Sequence, residues 1–243
     1  MKIALLGYGR MGHEIEKMAI QYGHEITAIF DVETPLNIRS QLYDAEVLID
    51  FTLPDTVLTN LNIAAELGIS VVEGTTGWAD KLEEVKKIPN LTLIYSPNFS
   101  IGVYQFSKLV AYAATLFDPF TNYDCYLHEF HHTGKVDSPS GTAQKLASIL
   151  VNNLHTKKKI LTETSHGKIE ADALHITSTR VGRIPGTHEI GFDSEADDIV
   201  LRHTAHGRAC FADGAIRAAE WIIGRTGIYT MEDFMSSFDE KSK

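Results

Sequence analysis

Residues 2–12 read KIALLGYGRMG, and residues 25–31 read EITAIFD. Lys2 to Leu6 is a short apolar run of strand length, and Gly7, Gly9 and Gly12 follow it with GxGxxG spacing. Met11, Ile15, Met18 and Ala19 then recur at helical intervals. A second strand, Glu25 to Phe30, ends at Asp31, where a dinucleotide-binding unit places the acid that accepts the adenosine ribose hydroxyls. Strand, glycine turn, helix and acid agree, so Gly7, Tyr8, Gly9, Arg10, Met11, Gly12 and Asp31 are candidate cofactor-binding residues. The competing reading is a glycine turn needed only for packing.

Further strands are expected at Val47 to Phe51, Ile69 to Glu73 and Leu91 to Ser96, with helices at about 55–67 and 79–88 between them. This alternation predicts an α/β fold with a parallel, doubly wound sheet. Ligands of such sheets bind beyond the carboxyl ends of the strands. Gly74, Thr75 and Thr76, and then Ser96, Pro97, Asn98 and Phe99, are therefore candidates to line the nicotinamide side, although ordinary loops have a similar composition.

A helix over 104–117, with Phe106, Leu109, Val110, Ala113 and Phe117 read as core, stops at Asp118 and Pro119. From there the strands are longer and more polar: Tyr123 to Phe130, Ala173 to Val181, His188 to Phe192 and Ile199 to Ala205. They predict a smaller α+β domain, with a mixed and largely antiparallel sheet under a helix over 142–154. Lys157, Lys158 and Lys159 read as a solvated loop. A last helix over 209–224 returns to the first domain, which gives a dinucleotide-binding domain of residues 1–100 and 209–243 and a substrate-binding and oligomerisation domain of residues 101–208.

The chemistry concentrates in Leu127 to Ala143, LHEFHHTGKVDSPSGTA. His128, Glu129 and His132 spell HExxH, a zinc motif when both histidines share a helix face. The flanking alternation predicts a strand, in which residues four apart lie roughly 13 Å from each other, so no metal site is read here. A polar loop with surface histidines is the plain alternative. The order of the parts supports a third reading, in which Ser140 caps a helix and the amides of Gly141 and Thr142 at its positive end hold a carboxylate or phosphate. Lys135 adds a charge and a transferable proton beside His131 and His132. That describes a site for a small acid with an acid catalyst next to it. Arg180 is read either as a substrate contact or as a structural ion pair.

Composition narrows the field. A formal net charge of −10 argues against a protein that coats nucleic acid or anionic membrane. The two cysteines, Cys125 and Cys210, match no metal or redox spacing, and no apolar run approaches the length of a membrane span. A cytoplasmic location is expected.

The run EFHHTGKVDSPSGTA resembles the signature of the dihydrodipicolinate reductase family, also called 4-hydroxy-tetrahydrodipicolinate reductase, of the diaminopimelate route to lysine. The resemblance extends to Arg10-Met11-Gly12, Asp50-Phe51-Thr52, Gly74 to Gly77, Asn98-Phe99-Ser100 and Phe211 to Ala215. It implies a Rossmann domain plus a tetramer-forming substrate domain, with NADH or NADPH as cofactor and a small dicarboxylate as substrate. By resemblance, His131 and Lys135 are the catalytic acid groups, and His132, Gly141 and Thr142 contact the substrate carboxylates. The glycine loop is one residue shorter than the commonest family version, and Val32 stands where some members carry an arginine. Two rival functions keep parts of this pattern: another Rossmann reductase of a small amino or keto acid, and a nucleotide sensor without turnover.

Overall fold

The computed structural model describes residues 1–239, so positions 240–243 of the span assigned to the first domain lie outside the described residues. The chain folds as two compact units, one of Met1–Ile101 together with the chain from Arg208, the other of Gly102–Gly207.

The first unit opens with β1 (Lys2–Leu6), α1 (Arg10–Gln21) and β2 (Glu25–Phe30) and continues through β3 (Val47–Asp50), α2 (Val57–Leu67), β4 (Ser70–Glu73), the single turn α3 (Leu82–Val85) and β5 (Leu93–Tyr95). The helix expected over 79–88 is reduced to a 3₁₀ turn at Ala79–Lys81 and α3. Pro89 follows closely and disfavours helical backbone at Ile88. After the second unit come α6 (Ala209–Ile222) and two elements not expected from the sequence, β11 (Ile228–Thr230) and α7 (Met231–Asp239).

Its sheet has the order β11-β5-β4-β3-β1-β2 with every pair parallel. The order reverses between β1 and β3, which is the switch point where a doubly wound sheet opens a crevice. All four residues of β3 are buried, as expected of a strand covered on both faces. Ala4, Leu6, Leu48, Val71 and Leu93 pack with Val57 and Leu61 of α2 on one side, while α1 and α6 lie side by side in contact with each other.

The second unit contains α4 (Ile101–Phe117), β6 (Asp124–His131), α5 (Gly141–Asn153), β7 (Lys159–Leu161), β8 (Ala173–Arg180), β9 (Thr187–Asp193) and β10 (Asp198–Thr204). The sheet order is β10-β9-β6-β8-β7. The sheet is mixed, but parallel pairs (β6 with β8, β7 with β8) equal antiparallel ones, because β7 adds a parallel edge strand that the sequence concealed. Phe106, Val110 and Ala114 of α4 and Leu146, Ala147 and Leu150 of α5 cover Cys125, Leu127, Leu174, Ile176 and Ile190. Leu109, read as core, is 57% exposed, since the buried face of α4 runs through Val103, Phe106, Ser107, Val110 and Ala114.

The reading of Lys157 to Lys159 as a solvated loop is corrected. Lys157 is buried, and its ammonium donates to the carbonyls of Ala171 and Ala173 at 2.9 and 3.0 Å and pairs with Asp124. Lys159 opens β7. A lysine tail that meets two carbonyls and a carboxylate is satisfied inside the fold, which composition cannot reveal.

Candidate active site

In the first unit, the glycine turn at the end of β1 gives each glycine a different task. Gly7 has φ +86°, and a Cβ there would lie 2.4 Å from the carbonyl oxygen of Phe51, just past β3. A Cβ on Gly12 would lie 2.4 Å from the Gly7 oxygen, so Gly12 lets α1 approach the strand. Gly9 has no atom within 4 Å of its missing Cβ. It therefore meets no packing need, and it is the glycine that lets a ligand approach the backbone in this motif. No side chain caps α1 and no acid stands in its first turn, so its leading amides remain suited to a diphosphate. Tyr8 stacks on His13, with centroids 4.0 Å apart, and hydrogen-bonds Glu16, which folds the loop over the helix start.

Asp31 lies exposed at the end of β2. Its Oδ1 accepts from the amides of Glu33 and Thr34 and from the Thr34 hydroxyl at 2.9–3.0 Å. The Thr34 amide and hydroxyl hold its carboxyl below the ordinary aspartate range. All three donors land on one oxygen, which leaves the other to accept from a sugar hydroxyl. These residues fit the adenosine half of a pyridine nucleotide.

The turns after β3 and β4 are fixed by two acids that the sequence reading named only as strand ends and did not assign to the site. Asp50 and Glu73 are fully buried register partners. Asp50 accepts from the Thr52 amide at 2.9 Å and from Asn60 at 2.8 Å, and Glu73 accepts from the Thr75 amide at 2.7 Å. Burial pushes both carboxyls up, and the neighbouring Asp50 adds to this at Glu73, whose carboxyl stands well above the ordinary range. An acid closing an otherwise apolar parallel strand was the available signal. Thr75 is buried within this network, whereas Thr76 is exposed. A Cβ on Gly74 would overlap the Phe51 ring. Ser96 and Asn98 hydrogen-bond each other across the next turn, with Pro97 exposed between them. Phe99 is 1% exposed, so its side chain serves packing, and any ligand contact from this residue falls to its backbone.

In the second unit the HExxH question is settled by β6. Cys125, Leu127, Glu129 and His131 alternate onto the helix-covered face. His128 faces the other way, stacks on Phe130 and reaches Thr179 at 3.1 Å. Register places Glu129 between Ser178 of β8 and His188 of β9, and His131 beside Arg180. Glu129 Oε1 accepts from the Ser140 amide at 3.0 Å, the Ser178 hydroxyl at 2.8 Å and Arg180 Nη2 at 2.8 Å. Its Oε2 lies 3.2 Å from His131 Nδ1 and 3.8 Å from His188 Nε2. Arg180 also binds the Asp137 carbonyl, so of its two readings the structure shows the ion pair.

His188 was not singled out as a functional residue, yet it is buried edge-on to His131 and 3.3 Å from the Ser140 hydroxyl. Burial, then His131, lowers its pKa to about 4, so it is neutral at pH 7. Among the described residues, Glu129, His131 and His188 bring ligand atoms within 4.8 Å of one another. Arg180 already places a full positive charge on this carboxylate, which opposes a metal ion beside it.

Ser140 caps α5 through the Ala143 amide, and Gly141 and Thr142 follow as its first residues. No atom lies within 4 Å of the missing Gly141 Cβ. Lys135 and His132 stand on the partly exposed loop before the helix, with Lys135 Nζ 2.7 Å from Asp137. Lys135, with lesser help from the Gly141 amide, holds the Asp137 carboxyl below its ordinary range. The structure thus gathers a buried imidazole, an ammonium and a helix start with free space beside its first residue within one unit.

Residues 1–99 match the family model described as "Dihydrodipicolinate reductase, N-terminus", and residues 102–235 match "Dihydrodipicolinate reductase, C-terminus". A 4-hydroxy-tetrahydrodipicolinate reductase of Christiangramia forsetii is 39% identical over 240 residues, covering 97% of this chain and 98% of the relative. One of Archaeoglobus fulgidus is 36% identical, covering 97% and 100%. The solved structure of a dipicolinate-bound dihydrodipicolinate reductase from Paenisporosarcina sp. TG-14 shares the fold, with a TM-score of 0.76 at 24% identity over 95% of this chain and 97% of that one. With both halves of the family model matched in order and relatives similar along almost their whole length, the chain belongs to the dihydrodipicolinate reductase family.

Proposed function

We propose that this chain reduces 4-hydroxy-tetrahydrodipicolinate to tetrahydrodipicolinate with NADH or NADPH, in the diaminopimelate route to lysine. The observation that supports this most strongly is the second unit's combination of His131, Lys135 and the start of α5, within a chain that matches both halves of the family model over residues 1–99 and 102–235. Overall, one hydride and one proton are added to the substrate and its hydroxyl leaves as water. The cofactor supplies the hydride when bound. The α1 amides and Gly9 hold its diphosphate, Asp31 its adenosine ribose, and residues 74–76 and 96–99 line its nicotinamide side. His132 and the amides of Gly141 and Thr142 hold the two substrate carboxylates, a task for which a helix start supplies both donors and positive potential. His131 and Lys135 supply and relay the proton. Residues 1–100 and 209–243 form the dinucleotide-binding domain in this reading, residues 101–208 the substrate domain, and the reaction runs in the cytoplasm.

Cofactor choice follows from Asp31. Its carboxylate accepts from ribose hydroxyls but meets a 2′-phosphate with like charge, and Val32 provides no clamp for that phosphate. Arg10 and Arg39 can partly offset this, so both cofactors are used, with a mild preference for NADH. The test supplies the product of dihydrodipicolinate synthase and follows oxidation of each cofactor by the parent and by Asp31→Ala. Turnover with both cofactors is expected, and Asp31→Ala should shift the ratio of kcat/KM toward NADPH by about tenfold, equivalent to about 1.4 kcal/mol. Cofactor binding without turnover would favour a nucleotide sensor, and an unchanged ratio would remove Asp31 from ribose recognition.

The chain assembles as a homotetramer through the sheet face opposite α4 and α5. A broad apolar sheet face was expected for this assembly, and the face is instead mixed. Tyr126 lies over Gly191, and Phe130 and Val200 are interleaved with His128, Thr177, Thr179 and Arg202. Such a surface suits a symmetric interface that interlocks polar and aromatic rows. Sedimentation equilibrium at micromolar concentration should give four times the chain mass, and a persistent monomer would refute the assembly.

A further inference from the structure

Nothing in the proposed reaction requires Glu129 to touch substrate or cofactor, yet it is the most heavily bonded side chain of the second unit's polar cluster. A carboxylate usually answers complete burial by taking up a proton. Burial does push this one up, but the contacts of His131, Ser140, Arg180 and Ser178 overcome it and hold Glu129 well below the usual carboxylate range. The charge is therefore kept inside the fold, and its two oxygens are used differently. Oε1 collects three donors at 2.8–3.0 Å, from the start of α5 and from β8. Oε2 has no aligned hydrogen bond, and neither has His131 Nδ1, and these two buried atoms face each other at 3.2 Å.

We infer that Glu129 is a positioning residue for the reduction: Oε2 turns His131 so that Nδ1 donates toward it and Nε2 is presented on the side of Gly186, while Oε1 ties the first turn of α5 to the same charge. A Cβ on Gly186 would lie 3.0 Å from His131 Nε2, so this glycine makes the room that the orientation needs. A carboxylate behind an imidazole selects its tautomer and stabilises the positive ring that proton transfer requires. A neutral isostere satisfies the Ser140 amide and the Ser178 hydroxyl equally well, and only His131 and Arg180 need the charge. The inference rests on the reading of His131 as an acid group of the reductase site.

The test compares the full-length parent with Glu129→Gln, Glu129→Asp, His131→Ala and the Glu129→Gln/His131→Ala double variant, measuring kcat and KM across pH. Glu129→Gln should lower kcat by about 10- to 100-fold, as loss of a group that orients a reacting one does. KM for the nucleotide should stay at the parent value, and the basic limb of the kcat profile should move to lower pH. Glu129→Asp should restore part of the rate. Adding Glu129→Gln to His131→Ala should cost nothing further, because residues that act through one another are not additive. A Glu129→Gln loss of equal size with and without His131, or a lowered rate whose pH limbs stay in place, makes Glu129 merely structural and overturns the inference. Should Glu129→Gln fail to fold, Glu129→Asp goes through the same cycle with the same two outcomes. A parent that does not turn over defeats the reductase reading itself, a result separate from any of these.

Discussion

Lys135→Ala is expected to lower kcat by about 10²- to 10⁴-fold, the loss typical of removing a positioned proton donor. Nucleotide affinity, measured by titration of the dihydronicotinamide fluorescence, should be nearly unchanged, because the candidate nucleotide contacts lie in the other unit. Lys135 stands on the loop between β6 and α5 and is 24% exposed, and among the described residues its ammonium pairs with Asp137 at 2.7 Å. An exposed pair of this kind adds little stability, on the order of 0–1 kcal/mol. The alanine variant should therefore fold normally, and the lost rate reports chemistry. Lys135→Arg keeps the charge but binds its proton too firmly to give it up, so it should not restore turnover. Turnover of Lys135→Ala within a few-fold of the parent would exclude Lys135 as the acid.

Gly214→Ala should be the most damaging single-methyl addition in the nucleotide-binding unit. An ideal Cβ at this position lies 1.7 Å from the Phe99 carbonyl oxygen and 2.9 Å from its carbon. Both are backbone atoms, so no rotamer change relieves the overlap. Either α6 or the turn before α4 must shift, and α6 is packed on α1, β3, β4 and β5. Overpacking of this kind costs about 1–3 kcal/mol. At about 2–4 °C per kcal/mol for a chain of this size, the thermal midpoint should fall by several degrees. Gly167→Ala, where no atom lies within 4 Å of the new methyl, is the control and should leave the midpoint in place. Equal midpoints for the two variants would show that α6 has slack where the structure shows contact.

Phe211 to Ala215 was legible as part of a family resemblance and as one face of a helix. Why position 214 has no side chain became clear only when Phe99 came to lie against it. The nucleotide turn was more fully legible. Its strand, glycines, helix and terminal acid lie within one short segment, and their spacing follows from local backbone geometry. The strand expected over Tyr123 to Phe130, observed as Asp124–His131, was legible for the same reason, since alternation is a local property, and it argued against the helical zinc motif.

The surroundings of Glu129 were not legible. Its partners Ser178 and Arg180 lie 49 and 51 positions away, and His188 joins Ser140 across 48. Nothing in the alternation of one strand tells which residue of another strand will stand opposite. Register decides that, and register depends on the packing of α4 and α5 over the whole sheet. Lys157 was misread on the same grounds, because a run of three lysines looks solvated until the chain returns to surround one of them with carbonyls. Asp50 and Glu73 close two apolar strands and look alike in sequence, yet it is their side-by-side burial that pushes the Glu73 carboxyl well above its ordinary range. Local sequence therefore set most of the strands and helices, the nucleotide turn and the residue types that carry the chemistry, because these depend on short-range periodicity and backbone conformation, whereas the short elements β7, β11 and α7 were not legible in it. Tertiary structure alone decided which charges are buried together and what each one orients, because that depends on strand register between segments far apart in the chain.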